Sequence, residues 1–337
     1  MSASRPLFRR PDLVRATAPA SLFAVALALA SPVLADPVKF TFATTNGAKD
    51  FSSQAVMRWQ KALKDQSKGE IQMNFVPGGA LGGDKQLLQQ LANNEIQMHV
   101  AGPVVVHHLA RGYQCLEAEY VFTDEAHGKR VWNGAVGSEL NAELESKYNI
   151  SIVAIGSRGA RHVTSNNPIR VPGDMNGVKM RVTNPLRAQV FKAYGALPGP
   201  GSISELYGAL RQGVFDAQEN PISTIWGNKF YEVQQYVNLT GHVWSYNIIS
   251  ANKKFLDSMT PAQRAVFDAT LKDAVAWLDR TVHDEEAALL KKMAATGKVT
   301  VVKPDVPKFQ EIAAPIVAQF AAEKCRPGIM AAIQAAR

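Results

Sequence analysis

Beyond residue 36 the first regular pattern is an alternation. Val38, Phe40 and Phe42 are apolar and are separated by Lys39 and Thr41, the period-two signature of a strand with one buried face. Ala55, Val56, Trp59, Ala62 and Leu63 then recur at helical spacing, and Gly69 stands where such a helix stops. Ile71, Met73 and Phe75 alternate with Glu70, Gln72 and Asn74 and predict a second strand. A glycine-rich loop at 77–83 leads to Asp84, a helix-capping residue type, ahead of Leu87, Leu88 and Leu91. Residues 96–101 read as a third strand. The β-α-β-α-β order predicts a parallel sheet with helices on both faces.

The style repeats further on. Residues 150–155 form an apolar strand run, and Val178, Met180 and Val182 alternate with Lys179, Arg181 and Thr183. Ser202 and Glu205 have capping-box spacing, with a helix ending at Gly213. Asn220-Pro221 reads as an N-cap followed by proline at the first helical position. Residues 246–251 read as a strand returning to the first sheet. Thr260 and Gln263 form a second capping box, with Pro261 correctly placed. The helix they start runs to about residue 296, on the order of 50 Å, too long for one small domain and able to brace two lobes. Residues 299–302 predict a short strand, and the alanine-rich remainder predicts helix. No flexible linker separates the parts, so two lobes would be joined by several crossings.

The first 35 residues have a different character. Arg5, Arg9, Arg10 and Arg15 precede an uncharged apolar run, and Val33-Leu34-Ala35 supplies a cleavage site before Asp36. This is the pattern of a secretory signal. No later stretch reaches the roughly 18 apolar residues of a membrane span. An apolar content of 46% with 20% charged residues is a globular composition. Removal of the signal's four Arg and of Asp12 takes the formal charge from +8 to +5, a mild excess that suits an anionic ligand. No basic stripe is interleaved with aromatics, so nucleic acid is not an expected partner. Cys115 and Cys325 can pair in an oxidising compartment, and spacing leaves that pairing open.

Candidate chemistry is sparse. The loop 78–85 is no phosphate cradle, because Asp84 intervenes before Lys85 and Gln86 follows it. His107 and His108 are adjacent and point apart on regular structure. His283 and Glu286 share a helix face but have no companion ligand set. Neither G-x-S-x-G nor H-E-x-x-H occurs. Arg181 sits on the polar face of a strand in an α/β sheet, where ligands gather at carboxyl ends of strands; its guanidinium can grip a carboxylate through two hydrogen bonds. In the segment 157–165 Arg161, or a neighbour, can play the same part. Taken alone, Asn220 is a cap, and Trp226 and Trp244 are core or lobe-surface residues.

Between Arg161 and His242 these readings condense into ordered motifs. They include Arg161-His162-Val163-Thr164-Ser165-Asn166, Met175-Asn176-Gly177-Val178-Lys179-Met180-Arg181-Val182, and Gly213-Val214-Phe215-Asp216-Ala217-Gln218-Glu219-Asn220-Pro221. Here the chain resembles the substrate-binding proteins of tripartite ATP-independent periplasmic (TRAP) transporters, over essentially its whole length after the signal. The resemblance implies an α/β fold with two-lobe periplasmic-binding-protein architecture and a long helix spanning both lobes. It places lobe I at 36–158 with 246–285 and lobe II at 159–245 with 286–337, after a signal at 1–35. It implies no enzyme and no cofactor or metal, but a periplasmic monomer that encloses a small organic carboxylate and delivers it to integral-membrane transporter subunits. The corresponding ligand positions are Arg181 as the main grip, Arg161 in support, Asn220 and Asn184, with Thr45 and Gly102 on the first lobe and Trp226 nearby. A ligand sensor and a secreted enzyme on a similar scaffold are the alternative readings. The sequence departs from the family pattern around Arg187 and at Pro103, Gly199-Pro200-Gly201 and Ala217. Arg187 adds a second cation to that stretch, and the loss of polar groups near Trp226 and Trp244 favours a ligand with an apolar or aromatic body.

Overall fold

Nine strands among the described residues form one mixed sheet: β1 (Val38–Ala43), β2 (Ile71–Val76), β3 (Met98–Ala101), β4 (Ile150–Ser165), β5 (Lys179–Val182), β6 (Leu197–Pro200), β7 (Ala217–Pro221), β8 (Tyr236–Asn252) and β9 (Thr300–Val302). The computed structural model describes residues 37–337, so the expected signal lies outside the described residues. The strand order is β2-β1-β3-β8-β4-β7-β5-β6, with β9 on β8. β1 pairs in parallel with β2 and β3, as the β-α-β-α-β pattern predicts.

The runs at 150–155 and 246–251 are only the ends of much longer strands. β4 has 16 residues and β8 has 17, and they pair antiparallel from end to end apart from three register shifts. They carry the sheet from its first half (β2, β1, β3) to its second (β7, β5, β6), so two α/β lobes share two crossing strands. Pro198 and Pro200 lie in β6 at the sheet's edge, where a missing N–H leaves no ladder partner unsatisfied.

The long helix spans Pro261–Ala295, and its box forms as expected: Gln263 N donates to Thr260 Oγ1 at 3.2 Å and Thr260 N to Gln263 Oε1 at 3.0 Å. Phe267 and Leu271 pack with Phe40, Phe42 and Trp59 under the first half of the sheet. Leu278, Val282, Leu289 and Met293 pack with Leu206, Ile225 and Phe230 under the second. One helix therefore contributes to two cores. A third cluster, including Leu140, Leu144, Val190, Phe191 and Phe309, binds the helix Val306–Lys324 to both halves. Cys115 and Cys325 are bonded there, with Cα atoms 6.2 Å apart. Among the described residues no helix is long and apolar enough to cross a membrane.

Two local expectations change. Gly83, not Asp84, holds the N-cap position of the helix Asp84–Ala92, which frees the Asp84 carboxylate for other contacts. Ser202 caps the helix Ile203–Arg211 without a side-chain bond, because its hydroxyl meets Ser204 Oγ at 2.7 Å instead.

Candidate functional site

Arg158 and Arg161 are three residues apart, and on an unbroken strand they would face opposite sides. The β4–β8 register shifts between Ser157 and Gly159 and again between Arg161 and Val163. Gly159 has φ +86°, a conformation that glycine adopts without penalty. These irregularities let both guanidiniums reach one side of the sheet. There they line a cavity together with Arg181, Thr45, Gly102 and Asn220. Thr45, Gly102 and Thr183 follow the carboxyl ends of β1, β3 and β5, the place where open α/β sheets bind ligands. A wider outer space shares Asp84, His107, Arg181 and Ile203 with this cavity and is also lined by Gly201 and Lys85.

Arg181 is 6% exposed. Its Nε and Nη2 donate to Gly201 O at 2.9 and 2.8 Å, and its buried Nη1 has no partner. Burial lowers its pKa to about 10. The buried carboxylates that make salt bridges here turn to other arginines, so no carboxylate lies within 4.0 Å of Arg181 among the described residues.

Arg161 is placed differently. Its Nε pairs with Glu219 Oε2, and its Nη2 donates to Glu219 Oε1 at 2.9 Å, to Glu219 O at 2.7 Å and to Asn220 Oδ1 at 3.2 Å. Glu219 also meets His242 Nε2 at 3.1 Å and Arg187 Nη1 at 3.4 Å. Burial works against its charge, but Arg161 and Arg187 hold its pKa well below the usual carboxylate value. Arg187 is fully buried, donates to Glu119 Oε1 at 2.9 Å, and stands outside the cavity. It is the internal counter-ion of Glu119 and Glu219 rather than a second cation facing the cavity.

Asn220 lines the cavity, but not as a helix cap: it is the fourth residue of β7, and its Nδ2 donates to Gln218 Oε1 at 2.6 Å. Asn184 caps the helix Pro185–Ala193 by accepting from Arg187 N at 2.8 Å. Its Nδ2 lies 3.4 Å from Nε2 of the lining residue His107, while Asn184 itself does not line the cavity. Trp226 stacks on Tyr231 with centroids 4.9 Å apart, outside the cavity. Trp244 packs against the core, and no Phe, Tyr or Trp lines the cavity. Of the apolar or aromatic ligand body expected from Trp226 and Trp244, the aromatic form therefore finds no aromatic wall.

Among the lining residues that the sequence did not single out as ligand positions are Asp84, His107 and Glu117, and Arg158 was covered only as an unnamed neighbour of Arg161. Arg158 Nη2 lies 3.4 Å from both Asn46 Oδ1 and Thr224 Oγ1, and its buried Nε has no partner. Asp84 Oδ1 accepts from Thr45 Oγ1 at 2.8 Å and stands 3.7 Å from His99 Nε2. The usable signal was an arginine beside a glycine in the middle of a strand, where a bulge redirects side chains.

The model for bacterial extracellular solute-binding protein, family 7, matches residues 42–324 of the chain. The 2,3-diketo-L-gulonate-binding periplasmic protein of Escherichia coli is 28% identical over 283 residues, 83% of this chain and 85% of that one. A solute-binding protein of Verminephrobacter eiseniae is 31% identical over 272 residues, 79% of this chain and 80% of that one. Among solved structures, a TRAP periplasmic solute-binding protein of a Polaromonas species, bound to D-erythronate, superposes with a TM-score of 0.82 at 26% identity, covering 88% of this chain and 98% of that one.

Proposed function

Because the chain belongs to bacterial extracellular solute-binding protein family 7, the periplasmic binding component of TRAP transport, we propose that its cavity captures a small organic acid with the acid's carboxylate on Arg181. The protein is a binding protein and not an enzyme. One observation carries the site assignment: a guanidinium 6% exposed with an unpartnered Nη1 and, among the described residues, no carboxylate within salt-bridge range. A buried charge without a counter-ion costs several kcal/mol, and a bound carboxylate removes that cost through charge-assisted hydrogen bonds. Asn220, Thr45 and Gly102 shape the walls. Arg161, held by Glu219, presents a fixed positive edge, and Asn184 supports the site through His107.

The two lobes divide near 158/159 and 245/246, with 246–285 belonging to the first and 286–337 to the second. They close about β4, β8 and the long helix. Closure expels water and strengthens each charged contact. The closed monomer then delivers its cargo to the integral-membrane TRAP subunits. A calorimetric comparison of organic acids with their amides tests the reading: acids bind and amides do not. Equal binding of both removes Arg181 as the anchor.

A further inference from the structure

Gly79 and Ser204 belong to opposite edges of the sheet. Gly79 lies in the loop after β2, and Ser204 lies in the first turn of the helix Ile203–Arg211, which follows β6. β2 and β6 end the strand order with six strands between them, and in a flat sheet they would stand roughly 30 Å apart. Yet a Cβ at Gly79 would lie 3.2 Å from Ser204 Cβ, and one at Gly83 would lie 3.8 Å from Ser202 Oγ. The two edges of the sheet therefore meet. Gly79 has φ +75°, so both its backbone and the narrow gap call for glycine.

Each half of this contact is tied to the cavity wall. Gly201 O, one residue before Ser202, accepts from Arg181 Nε and Nη2. Gly78 N, one residue before Gly79, donates to Asn46 O at 2.8 Å, and Asn46 lines the cavity. The wider outer space runs between the same two segments, with Gly83 and Lys85 from one and Pro200, Gly201 and Ser202 from the other. Gly79 and Ser204 line neither space. They can affect a ligand only through the placing of the lobes.

We propose that the loop 78–83 and the segment 201–204 form a clasp that sets how long the lobes stay closed on a bound acid. This rests on the carboxylate reading above. Rotation of the lobes about β4 and β8 moves the sheet's edges furthest, so the clasp parts early in opening and release of the ligand waits on it. Arg181 couples the two events. The guanidinium that holds the carboxylate also holds Gly201 O, and so fixes one half of the clasp while the ligand is bound. Gly199-Pro200-Gly201, where the sequence departs from the family pattern, supplies that half.

Calorimetric titration of D-erythronate, D-gluconate and succinate into the ligand-free parent selects the tightest of the three, and stopped-flow mixing follows its release. Gly79→Ala sets a Cβ against Ser204 and speeds release at least about fivefold, while association changes less than about twofold. Adding Ser204→Gly removes the atom that the new Cβ meets and returns release to within about twofold of the parent. A loop merely strained by Gly79→Ala is not rescued by a change in the other lobe. Gly83→Cys with Ser202→Cys, joined by oxidation, slows release at least about a hundredfold until the pair is reduced. Release unchanged in Gly79→Ala, or fast release that Ser204→Gly does not restore, overturns the clasp and leaves Arg181 as the anchor. An oxidised pair that lets the acid go at the parent's rate does the same, and it decides alone if Gly79→Ala does not fold. Failure of all three acids to bind the parent overturns the carboxylate reading, and the clasp with it.

Discussion

A Cβ added at Gly102 would overlap Arg158 Nη1. The absent side chain at the end of β3 is what admits a guanidinium from β4 into the cavity, so two distant residues are fitted to one another. Gly102→Ala should displace Arg158 and destabilise the protein by about 1–3 kcal/mol, the usual cost of overpacking. Ligand affinity should fall with it. Thermal unfolding and titration of the same variant check both effects, and an unchanged affinity would show that Arg158 does not touch the ligand.

Glu219 is the hub of a buried ion cluster that joins β4, β7 and β8 through Arg161 and His242, and reaches Arg187. Glu219→Gln leaves the buried Arg161 guanidinium without its counter-charge, while Arg187 keeps Glu119 and Glu117. Breaking a buried pair in this way typically costs about 3–5 kcal/mol. Denaturant unfolding should show that loss in the absence of any ligand. The same substitution at exposed Glu285 should change stability by less than about 0.5 kcal/mol.

Glu286 on the long helix approaches the β4 bulge, where a Cβ at Gly159 would lie 2.9 Å from its Oε1. Burial and the nearby Glu125 raise its pKa to about 7. A carboxyl whose folded pKa exceeds its unfolded value binds more protons when folded. Stability then falls as pH rises from about 4.5 to 7. Glu286→Gln removes this dependence. The variant should match the parent near pH 4.5 and exceed it at pH 8 by about 1–3 kcal/mol, after allowance for partial exposure. Melting curves across that range check the sign; a variant less stable at pH 8 contradicts it.

The Cys115–Cys325 bond closes a loop of 210 residues. Constraint of so long a loop in the unfolded chain stabilises by up to about 5 kcal/mol in the chain-entropy model. Reduction, or Cys115→Ala with Cys325→Ala, should lower the melting temperature by several degrees. Ligand affinity should change little, because the bond lies outside the cavity lining.

The elements legible in the sequence are those with one buried face and a clean cap. β1 and β2 alternate, and the long helix announces itself at Thr260-Pro261 and Gln263. β4 and β8 were legible only at their apolar ends. Their remaining stretches carry Ser157, Arg158, Arg161, His162 and Thr164, or Thr240, His242 and Ser245, because those residues face a polar cluster and a cavity instead of a hydrophobic core. Period-two reasoning has no contrast to detect there. Asn220 followed by proline imitates a cap, yet the strand continues through both residues. Asp84 also imitates a cap, and only its meeting with Thr45, 39 residues away, shows another use. Arg181 was legible because its strand alternates on either side of it. Arg158 was legible only as an unnamed neighbour of Arg161, because its orientation depends on a bulge of which Gly159 is the one local sign.

The central claim is that Arg181 supplies the anchoring charge, and calorimetric titration of Arg181→Ala beside the parent protein tests it most directly. The ligand is whichever organic acid the parent binds. The account predicts an affinity loss of about 2–5 kcal/mol, roughly thirtyfold or more, as when one partner of a buried charge pair is truncated, with the unliganded variant still folded. An Arg181→Ala protein that binds the acid as tightly as the parent contradicts it.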